Sequence, residues 1–307
     1  VGLHVVVGKG PVGSAVAEEL VRTGHRVRVL SRSGGTSSAD VEHRAVDAAD
    51  PQALAAASAG ADALYNAVNP PYHRWATDWP PIATALLTAA ERSGAVLVAM
   101  GNLYGYGRPT GPMTADSPLA ATDVKGRVRA AMWAQMLAAH EAGRVRVAEA
   151  RASDFVGPDI PAGQSYLVRN LPGVRAGKRV WVIGDPDVQH SWAYLPDVGA
   201  TLAALGTDER AWGKAWVVPS TPSRSQRQAL GDFAAAFGAP APKVSQTPWP
   251  LLTALGAVVP FLREVVAIRH QWDADFVVDG TATTAVLGTG PTPWADVVAR
   301  TAGALPV

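Results

Sequence analysis

Cysteine is entirely absent from this sequence of 307 residues. The chain can therefore form no disulfide, offers no thiolate nucleophile and can hold no zinc ion through sulfur. Its His, Asp and Glu residues show no metal-ligand spacing either, so we expect no metal site. The lack of cysteine agrees with a reducing compartment, and no charged leader with a cleavage site is visible, so we expect a cytoplasmic protein.

An excess of charge of one sign is also lacking, since 27 Lys and Arg residues face 26 Asp and Glu residues. No basic run occurs, and nothing in the composition favours nucleic acid as a partner. The longest apolar stretch, residues 251–262, is broken by Thr253, Gly256 and Pro260 and falls short of the roughly 18 residues that suggest a spanning helix. We therefore expect a small-molecule substrate, no membrane partner, and a monomer or homodimer.

The first half of the chain alternates β-branched runs with alanine-rich stretches, which is typical of βαβ units around a parallel sheet. Between the first two runs Val12, Val16 and Leu20 recur at four-residue spacing, which gives a helix one apolar face. The predicted strands are Leu3–Val7, Arg26–Leu30, Ala63–Val68, Ala95–Ala99, Arg144–Ala148 and a weaker one at His43–Val46.

Prolines become frequent after residue 150, and the alternation of strand and helix loosens there. The sequence thus predicts an α/β fold, a Rossmann-type doubly wound parallel sheet with a smaller C-terminal substrate lobe. We assign residues 1–157 to the dinucleotide-binding domain, with residues 185–218 completing it. Residues 158–184 and 219–307 are then the substrate-binding lobe.

The glycine-rich stretch Gly8-Lys9-Gly10-Pro11-Val12-Gly13 follows the first predicted strand and opens the first helix. In this context G-x-G-x-x-G is the signature of a dinucleotide site. Gly8 permits the tight turn, Gly10 lets the backbone approach a pyrophosphate, and Gly13 lets helix and strand pack closely. Free N–H groups at the helix N-terminus attract the anionic oxygens.

The end of the second strand indicates which nicotinamide cofactor binds. An acidic residue there would bond the ribose 2′-hydroxyl of NAD(H), but the stretch reads Leu30-Ser31-Arg32-Ser33. Arg32, with Ser31 and Lys9, forms a predicted pocket for a 2′-phosphate, so NADP(H) is favoured over NAD(H). Asp47 is a candidate acceptor for the adenine amino group, and the strand end Ala67-Val68-Asn69 completes the predicted cofactor site.

Three further stretches accompany the glycine turn: Asn102-Leu103-Tyr104-Gly105, residues 151–158 and residues 184–198. With them the chain resembles, over most of its length, the extended and atypical short-chain dehydrogenases/reductases, which include nucleotide-sugar epimerases and dehydratases. The resemblance implies an oxidoreductase or epimerase that acts on a carbonyl or alcohol carbon of a small organic molecule. The cofactor carries the hydride, and the protein places a proton donor beside the reacting carbon–oxygen bond.

The sequence departs from the resembled family at its catalytic residues. That family has a serine or threonine before the Tyr-Gly turn and a Tyr-x-x-x-Lys pair on the next helix. Here Met100 or Gly101 stands in place of the hydroxyl residue, and Lys125 and Arg129 stand in place of the pair. Neither a methionine nor a glycine side chain can polarise a carbonyl, so the usual catalytic groups are missing.

Three interpretations of the catalytic residues remain open. In the first, Lys125 transfers the proton while Arg129, four residues on along one helix face, holds the nicotinamide ribose. In the second, both cations only bind ligand, and Tyr104 or Tyr106 supplies the proton. In the third, the cations lie on a solvated helix face and do no chemistry. We take Lys125 assisted by Tyr104 as the hypothesis to test, because arginine is effectively always charged.

Candidate substrate contacts follow from the strand ends. Asn69 and Asn102 end neighbouring predicted strands, where ligands of open α/β sheets bind. The loop from Asn69 to Trp75 is a candidate substrate loop, and the predicted substrate residues are Tyr72, Trp75, Tyr106, Asp154, His190 and Tyr194. The alternative functions are a catalytically inactive NADP(H)-binding sensor or scaffold, and a non-redox isomerase or cyclase on the same fold.

Overall fold

The computed structural model describes residues 2–305 and shows strands and helices in alternation. The strands are β1 (Leu3–Val7), β2 (Arg26–Ser31), β3 (Val41–Ala45), β4 (Ala63–Asn66), β5 (Val96–Asn102), β6 (Val147–Ala152), β7 (Asp154–Val156), β8 (Val180–Ile183), β9 (Gln189–His190), β10 (Trp192–Tyr194), β11 (Lys214–Val217), β12 (Arg224–Ser225) and β13 (Val244–Thr247). The helices are α1 (Pro11–Arg22), α2 (Pro51–Ala57), α3 (Trp75–Ser93), α4 (Val124–Glu141), α5 (Leu171–Arg175), α6 (Leu195–Thr207), α7 (Gln226–Ala236), α8 (Trp249–Gly256), α9 (Pro260–Ala267), α10 (His270–Asp273), α11 (Thr281–Leu287) and α12 (Trp294–Gly303).

A seven-stranded parallel sheet forms the centre of the molecule, in the order β11-β6-β5-β4-β1-β2-β3. The strand order reverses beside β1, where the chain turns outward to β2 on one side and to β4 on the other. Such a switch point opens a crevice at the carboxyl ends of the strands, which is where ligands of these sheets bind. The predicted doubly wound α/β fold is confirmed.

Both faces of the sheet are covered, as a parallel sheet requires. On one face an apolar cluster joins the sheet to α2, α3 and α4. On the other face a second cluster joins it to α1 and α6, which pack directly on each other. A Cβ atom on Gly199 of α6 would lie 2.5 Å from the carbonyl oxygen of Ala15, so a glycine is needed for that helix contact.

The sixth strand lies later than the sequence pattern predicts. Residues 144–148 were the predicted strand, whereas β6 runs from Val147 to Ala152. All six of its residues are buried, including Glu149 and Arg151, which form an ion pair with Arg151 Nε 2.6 Å from Glu149 Oε2. Two charged residues inside a strand hide its apolar pattern, which is why the prediction stopped short.

The lobe has an apolar core of its own, around Trp192, Phe233, Trp272 and Trp294. Three small two-stranded sheets support it: β7 with β10, β8 with β13, and β9 with β12. Residues 185–218 contribute to both parts of the molecule, because β10 lies in the lobe core while α6 and β11 complete the sheet layers. The predicted boundary at residue 185 therefore falls within a shared segment.

Residues 251–262 belong to the hairpin of α8 and α9. Several of its apolar side chains are exposed, among them Leu251, Val258 and Phe261. Over residues 2–305, no helix is both long enough and apolar enough to cross a bilayer.

The glycine turn provides a test of the fold with a built-in control. A Cβ on Gly13 would lie 1.9 Å from the carbonyl oxygen of Gly8, whereas a Cβ on Gly10 would meet no heavy atom within 4 Å. We expect Gly13→Ala to lower the free energy of unfolding by about 3 kcal/mol or more, because backbone would have to shift. Gly10→Ala should cost no more than about 1 kcal/mol, the scale of a changed N-cap. Urea denaturation of both variants measures the difference, and equal losses would contradict the packing role of Gly13.

Candidate functional site

A cavity of about 750 Å³ opens at the carboxyl ends of the central strands. Its wall is built from the turns that follow β1, β2, β4, β5 and β6, and it is closed on the far side by residues of the lobe. The segments that form the wall are Val7–Val12, Leu30–Ser33, Val46–Ala49, Ala67–Trp75, Met100–Tyr104, Ala152–Phe155 and parts of residues 160–169 and 261–276. The switch point of the sheet thus leads into one continuous cavity.

The glycine turn forms one end of the cavity and fits a dinucleotide. Gly8 has a φ of +113°, its N–H donates to Leu30 O at 2.8 Å, and a Cβ there would lie 2.6 Å from Ala67 O. Gly10 faces open space, and no side chain caps the N-terminus of α1. The first turn of α1 therefore keeps its N–H groups free for an anionic oxygen, and Pro11 is compatible with this helix start.

The residues predicted to bind the adenosine end lie on the same wall. Lys9 Nζ and Ser31 Oγ both donate to Gly34 O, at 2.8 and 3.1 Å, so they hold the loop that follows β2. Arg32 is exposed on the wall and has no hydrogen bond or ion pair to any residue between 2 and 305. Asp47 accepts from Ala49 N at 3.0 Å through one carboxylate oxygen. The structure therefore leaves the Arg32 guanidinium available to a ligand, while the ammonium of Lys9 is engaged.

Two tyrosine hydroxyls meet on the wall between the cofactor end and the lobe. Tyr104 follows β5 in a short turn that Asn102 fixes by accepting from Tyr104 N at 3.1 Å. The hydroxyl oxygens of Tyr104 and Tyr72 are hydrogen-bonded at 2.7 Å. Burial raises the pKa of Tyr72, and it raises the pKa of Tyr104 well above the usual value. Both phenols therefore keep their protons at neutral pH.

Arg129 supplies a fixed positive charge beside these tyrosines. The side chain is only 8% exposed, and its Nη1 donates to Met100 O at 3.2 Å. The guanidinium carbon lies 4.6 and 4.5 Å from the ring centroids of Trp75 and Trp79, a cation–π arrangement. Burial lowers the pKa of Arg129 to about 10, which leaves it charged at neutral pH.

Lys125 lies behind the wall and not on it. The side chain is 2% exposed, its ammonium forms an ion pair with the Glu264 carboxylate on α9, and Nζ lies 5.7 Å from the ring centroid of Tyr72. Among the residues described, Lys125 is absent from the cavity wall, whereas Arg129, four residues on, is part of it. The two side chains share a helix face but reach different partners, and neither lies on a solvated face.

Of the other predicted substrate residues, some lie on the cavity wall and others lie behind it. Trp75 and Asp154 lie on the wall. His190 lies behind Asp154, to which its Nε2 donates at 2.8 Å. Tyr106 is turned away because Arg151 Nη1 donates to its hydroxyl at 2.9 Å, and Tyr194 packs in the core of the lobe. Within the described part of the chain, the last three do not line the cavity, whereas the sequence analysis expected them to contact substrate.

Packing leaves little room for a side chain at position 101, one of the two positions at which the sequence analysis expected the family hydroxyl. Met100 and Gly101 both lie on the wall, at the end of β5. A Cβ on Gly101 would lie 2.6 Å from Glu149 Oε1 and 3.0 Å from Ala150 O. Burial raises the pKa of Glu149, and the Arg151 guanidinium opposes that shift. A serine at position 101 would collide with this buried carboxylate.

The lobe contributes wall residues that the sequence analysis missed, namely Tyr166, Arg169, Phe261, Gln271 and Phe276. They come from short helices and loops, where no strand or helix periodicity marks an inward-facing side chain. No group of three or more His, Asp or Glu side chains within residues 2–305 is arranged to hold a metal ion.

Comparison with known families establishes the relationship of the chain. The model of the NAD dependent epimerase/dehydratase family matches residues 5–218, well over half of the sequence. The chain belongs to this family. The resemblance to extended short-chain dehydrogenases/reductases is thereby confirmed. No curated protein sequence matches the chain significantly.

Solved structures with the same fold include three from bacteria. UDP-glucose 4-epimerase from Thermotoga maritima, with UDP-glucose, has a TM-score of 0.81 at 15% identity, and the match covers 98% of both chains. The dTDP-glucose 4,6-dehydratase of Bacillus anthracis, in complex with NAD, has a TM-score of 0.80 at 13% identity. The match covers 99% of this chain and 96% of that one. A putative epimerase from Burkholderia cenocepacia has a TM-score of 0.77 at 19% identity. The match covers 99% of this chain and 97% of that one. At these identities the likeness shows the fold alone.

The ion pair between Lys125 and Glu264 yields a prediction for this member of the family. Lys125→Met should lower the free energy of unfolding by about 3 kcal/mol, because it leaves a partly buried carboxylate without its partner. The double variant Lys125→Met/Glu264→Leu should recover much of that loss, since no unpaired charge remains. Urea denaturation of the two single variants and the double variant measures the coupling. Strictly additive losses would show that the two side chains do not act as a pair.

Proposed function

We propose that the chain is an NADP(H)-dependent oxidoreductase or epimerase that acts on a carbonyl or alcohol carbon of a small organic molecule. The observation that carries the proposal is the single cavity that joins the glycine turn to the hydroxyl pair of Tyr72 and Tyr104. Family membership supports it, as do related structures whose titles name bound NAD, such as the dehydratase from Bacillus anthracis.

Different residues of the chain would bind different parts of the cofactor. The backbone at Gly8 and Gly10, with the free N–H groups of α1, would hold the pyrophosphate. Arg32 would pair with a 2′-phosphate, and Asp47 would accept from the adenine amino group. When bound, the cofactor supplies or removes the hydride at the reacting carbon.

Tyr104 is the proposed proton donor, which is the second of the three interpretations drawn from the sequence. Its phenolic O–H donates to the substrate oxygen during reduction, and the Tyr72 hydroxyl then donates to the phenolate oxygen that remains. The charge of Arg129 stabilises that phenolate. Lys125 is less suited to the role, because its ammonium is occupied by Glu264 and lies off the wall.

Arg32 tests the cofactor preference. Arg32→Ala should weaken NADPH binding about tenfold or more and leave NADH binding within about twofold, because only NADPH offers a 2′-phosphate to the guanidinium. Arg26→Ala is the matched control, since Arg26 is an exposed arginine at the opposite end of the same strand. Titration calorimetry gives both affinities. A variant that loses NADPH and NADH affinity equally would assign Arg32 another role.

Tyr104 tests the proton donor. Carbonyl substrates are first found by following NADPH absorbance across a panel of aldehydes and ketones. Tyr104→Phe should lower kcat by about 100-fold or more, the usual contribution of a general acid, without changing the Kd of NADPH. Tyr106→Phe is the control, because its hydroxyl is bonded to Arg151 away from the cavity and its loss should leave kcat nearly unchanged.

The pH profile of reduction separates this assignment from other donors. Because burial raises the pKa of Tyr104, the donor stays protonated, and kcat should not fall between pH 7 and about 9 through loss of its proton. A fall in that range that persists in the residual activity of Tyr104→Phe would assign the proton to another group. Tight NADPH binding with no turnover of any carbonyl or alcohol would favour the sensor or scaffold function.

A further inference from the structure

We propose that Gln271 recognises the substrate, and that the substrate is a small ring compound with an amide-type edge, a lactam or a carboxamide, and not a nucleoside diphosphate derivative. The inference shares one premise with the proposed function, namely that the substrate binds in the same cavity as the cofactor. Its test is a binding measurement, which does not require turnover.

Gln271 is an unusual residue on the wall. It is 1% exposed, it lies on α10 beside the cavity, and neither Oε1 nor Nε2 has a hydrogen-bond partner among residues 2–305. A buried amide without partners is costly to the folded protein, and such groups call for an explanation. A ligand that offers one donor and one acceptor side by side would satisfy both atoms of the side chain at once.

The surroundings of Gln271 favour a flat, largely apolar ligand. Tyr166 and Phe276 lie on the wall, and their rings pack against Trp272 and His270, the two neighbours of Gln271 in the chain, with ring centroids 4.4 and 6.5 Å apart. Aromatic rings pack well against another ring, whereas they cannot replace the hydrogen bonds that a strongly hydrated group makes with water. An aromatic or alicyclic ring with an amide edge meets both conditions.

The charges near the lobe side of the cavity argue against a pyrophosphate. Arg269 pairs with Asp273, and Arg263 lies beside Glu264, which also binds Lys125. Arg74 pairs with Asp78 in the same way. Arg169 is the exposed guanidinium on this side of the wall that has no ion pair within residues 2–305, and the Asp154 carboxylate lies on the same wall. Among the residues described, two adjacent phosphates would therefore meet one exposed unpaired guanidinium, Arg169, because the guanidinium of Arg129 is buried against Met100 O and the rings of Trp75 and Trp79.

Binding of three probes tests the inference on the full chain, with and without NADPH. The probes are 2-pyridone, which has the amide edge, N-methyl-2-pyridone, which keeps the ring and carbonyl but lacks the donor, and UDP. We expect 2-pyridone to bind at millimolar concentration or better and N-methyl-2-pyridone to bind about tenfold more weakly. The N-methyl analogue has no N–H group to donate to Gln271 Oε1, so this buried acceptor would stay without a hydrogen bond. UDP should neither bind more tightly than 2-pyridone nor displace it.

Two glutamine variants separate recognition from a structural role. Gln271→Leu should remove the preference for 2-pyridone over its N-methyl analogue, and it should raise Tm by about 2 °C because two unpaired polar atoms leave the interior. Gln226→Leu is the matched control. Gln226 is also buried in the lobe, at 3% exposure, but its Nε2 donates to Ile183 O at 2.8 Å. That variant should lower Tm and leave probe binding unchanged.

Three results would overturn the inference: no binding of 2-pyridone, unchanged discrimination in Gln271→Leu, or UDP binding more tightly than 2-pyridone. A lowered Tm in Gln271→Leu would also count against it, since that is the response of a structural residue. Failure of the proposed function looks different. In that case 2-pyridone still binds through Gln271, but NADPH does not bind or no carbonyl is reduced.

Discussion

The buried ion pair of Glu149 and Arg151 in the middle of β6 constrains the whole catalytic end of the cavity. Charges are expensive to bury, and this pair is held by a direct bond of 2.6 Å and by the Tyr106 hydroxyl. The Glu149 carboxylate occupies the space next to Gly101, so β5 can carry no hydroxyl side chain at that point. Arg151 in turn holds Tyr106 away from the wall. The buried pair thus affects two neighbouring points of the site: the space at position 101 and the direction of the Tyr106 hydroxyl.

In the proposed reaction the acid–base groups come from the turn after β5 and not from helix α4. Helix α4 still presents two cations on one face, but Lys125 is taken up by Glu264 and Arg129 by Met100 O and two tryptophan rings. The hydroxyl groups now come from the short turns that begin at Tyr72 and Tyr104. Arg129 keeps a position next to both, so positive charge remains where a phenolate would form.

Local features of the fold were predictable because their causes are local. The glycine turn, the first five strands of the sheet and the strand-end position of Asn102 follow from side-chain periodicity and from backbone geometry at a few glycines. The partner of Lys125 was not predictable, because Glu264 lies 139 residues further along the chain. Gln271 and Tyr166 were not predicted as wall residues for the same reason. They reach the cavity because the lobe packs on the sheet, and no short sequence pattern encodes that packing. Strand β6 was misplaced because its charged residues are buried.

The protonation states of the site bear on the proposed proton transfer. The tyrosines hold their protons because burial raises the pKa of each, and Arg129 stays charged although burial lowers its pKa to about 10. At neutral pH Tyr104 therefore has a proton to give, and the acidic side chain of Asp154, on the same wall, is bonded to His190. Proton donation by Tyr104 in reduction and proton acceptance in oxidation both pass through a phenolate in a desolvated wall, where the charge of Arg129 is placed to stabilise it. The burial that raises the pKa of these hydroxyls also makes them weaker acids, so proton transfer in the proposed reaction depends on Arg129 in either direction.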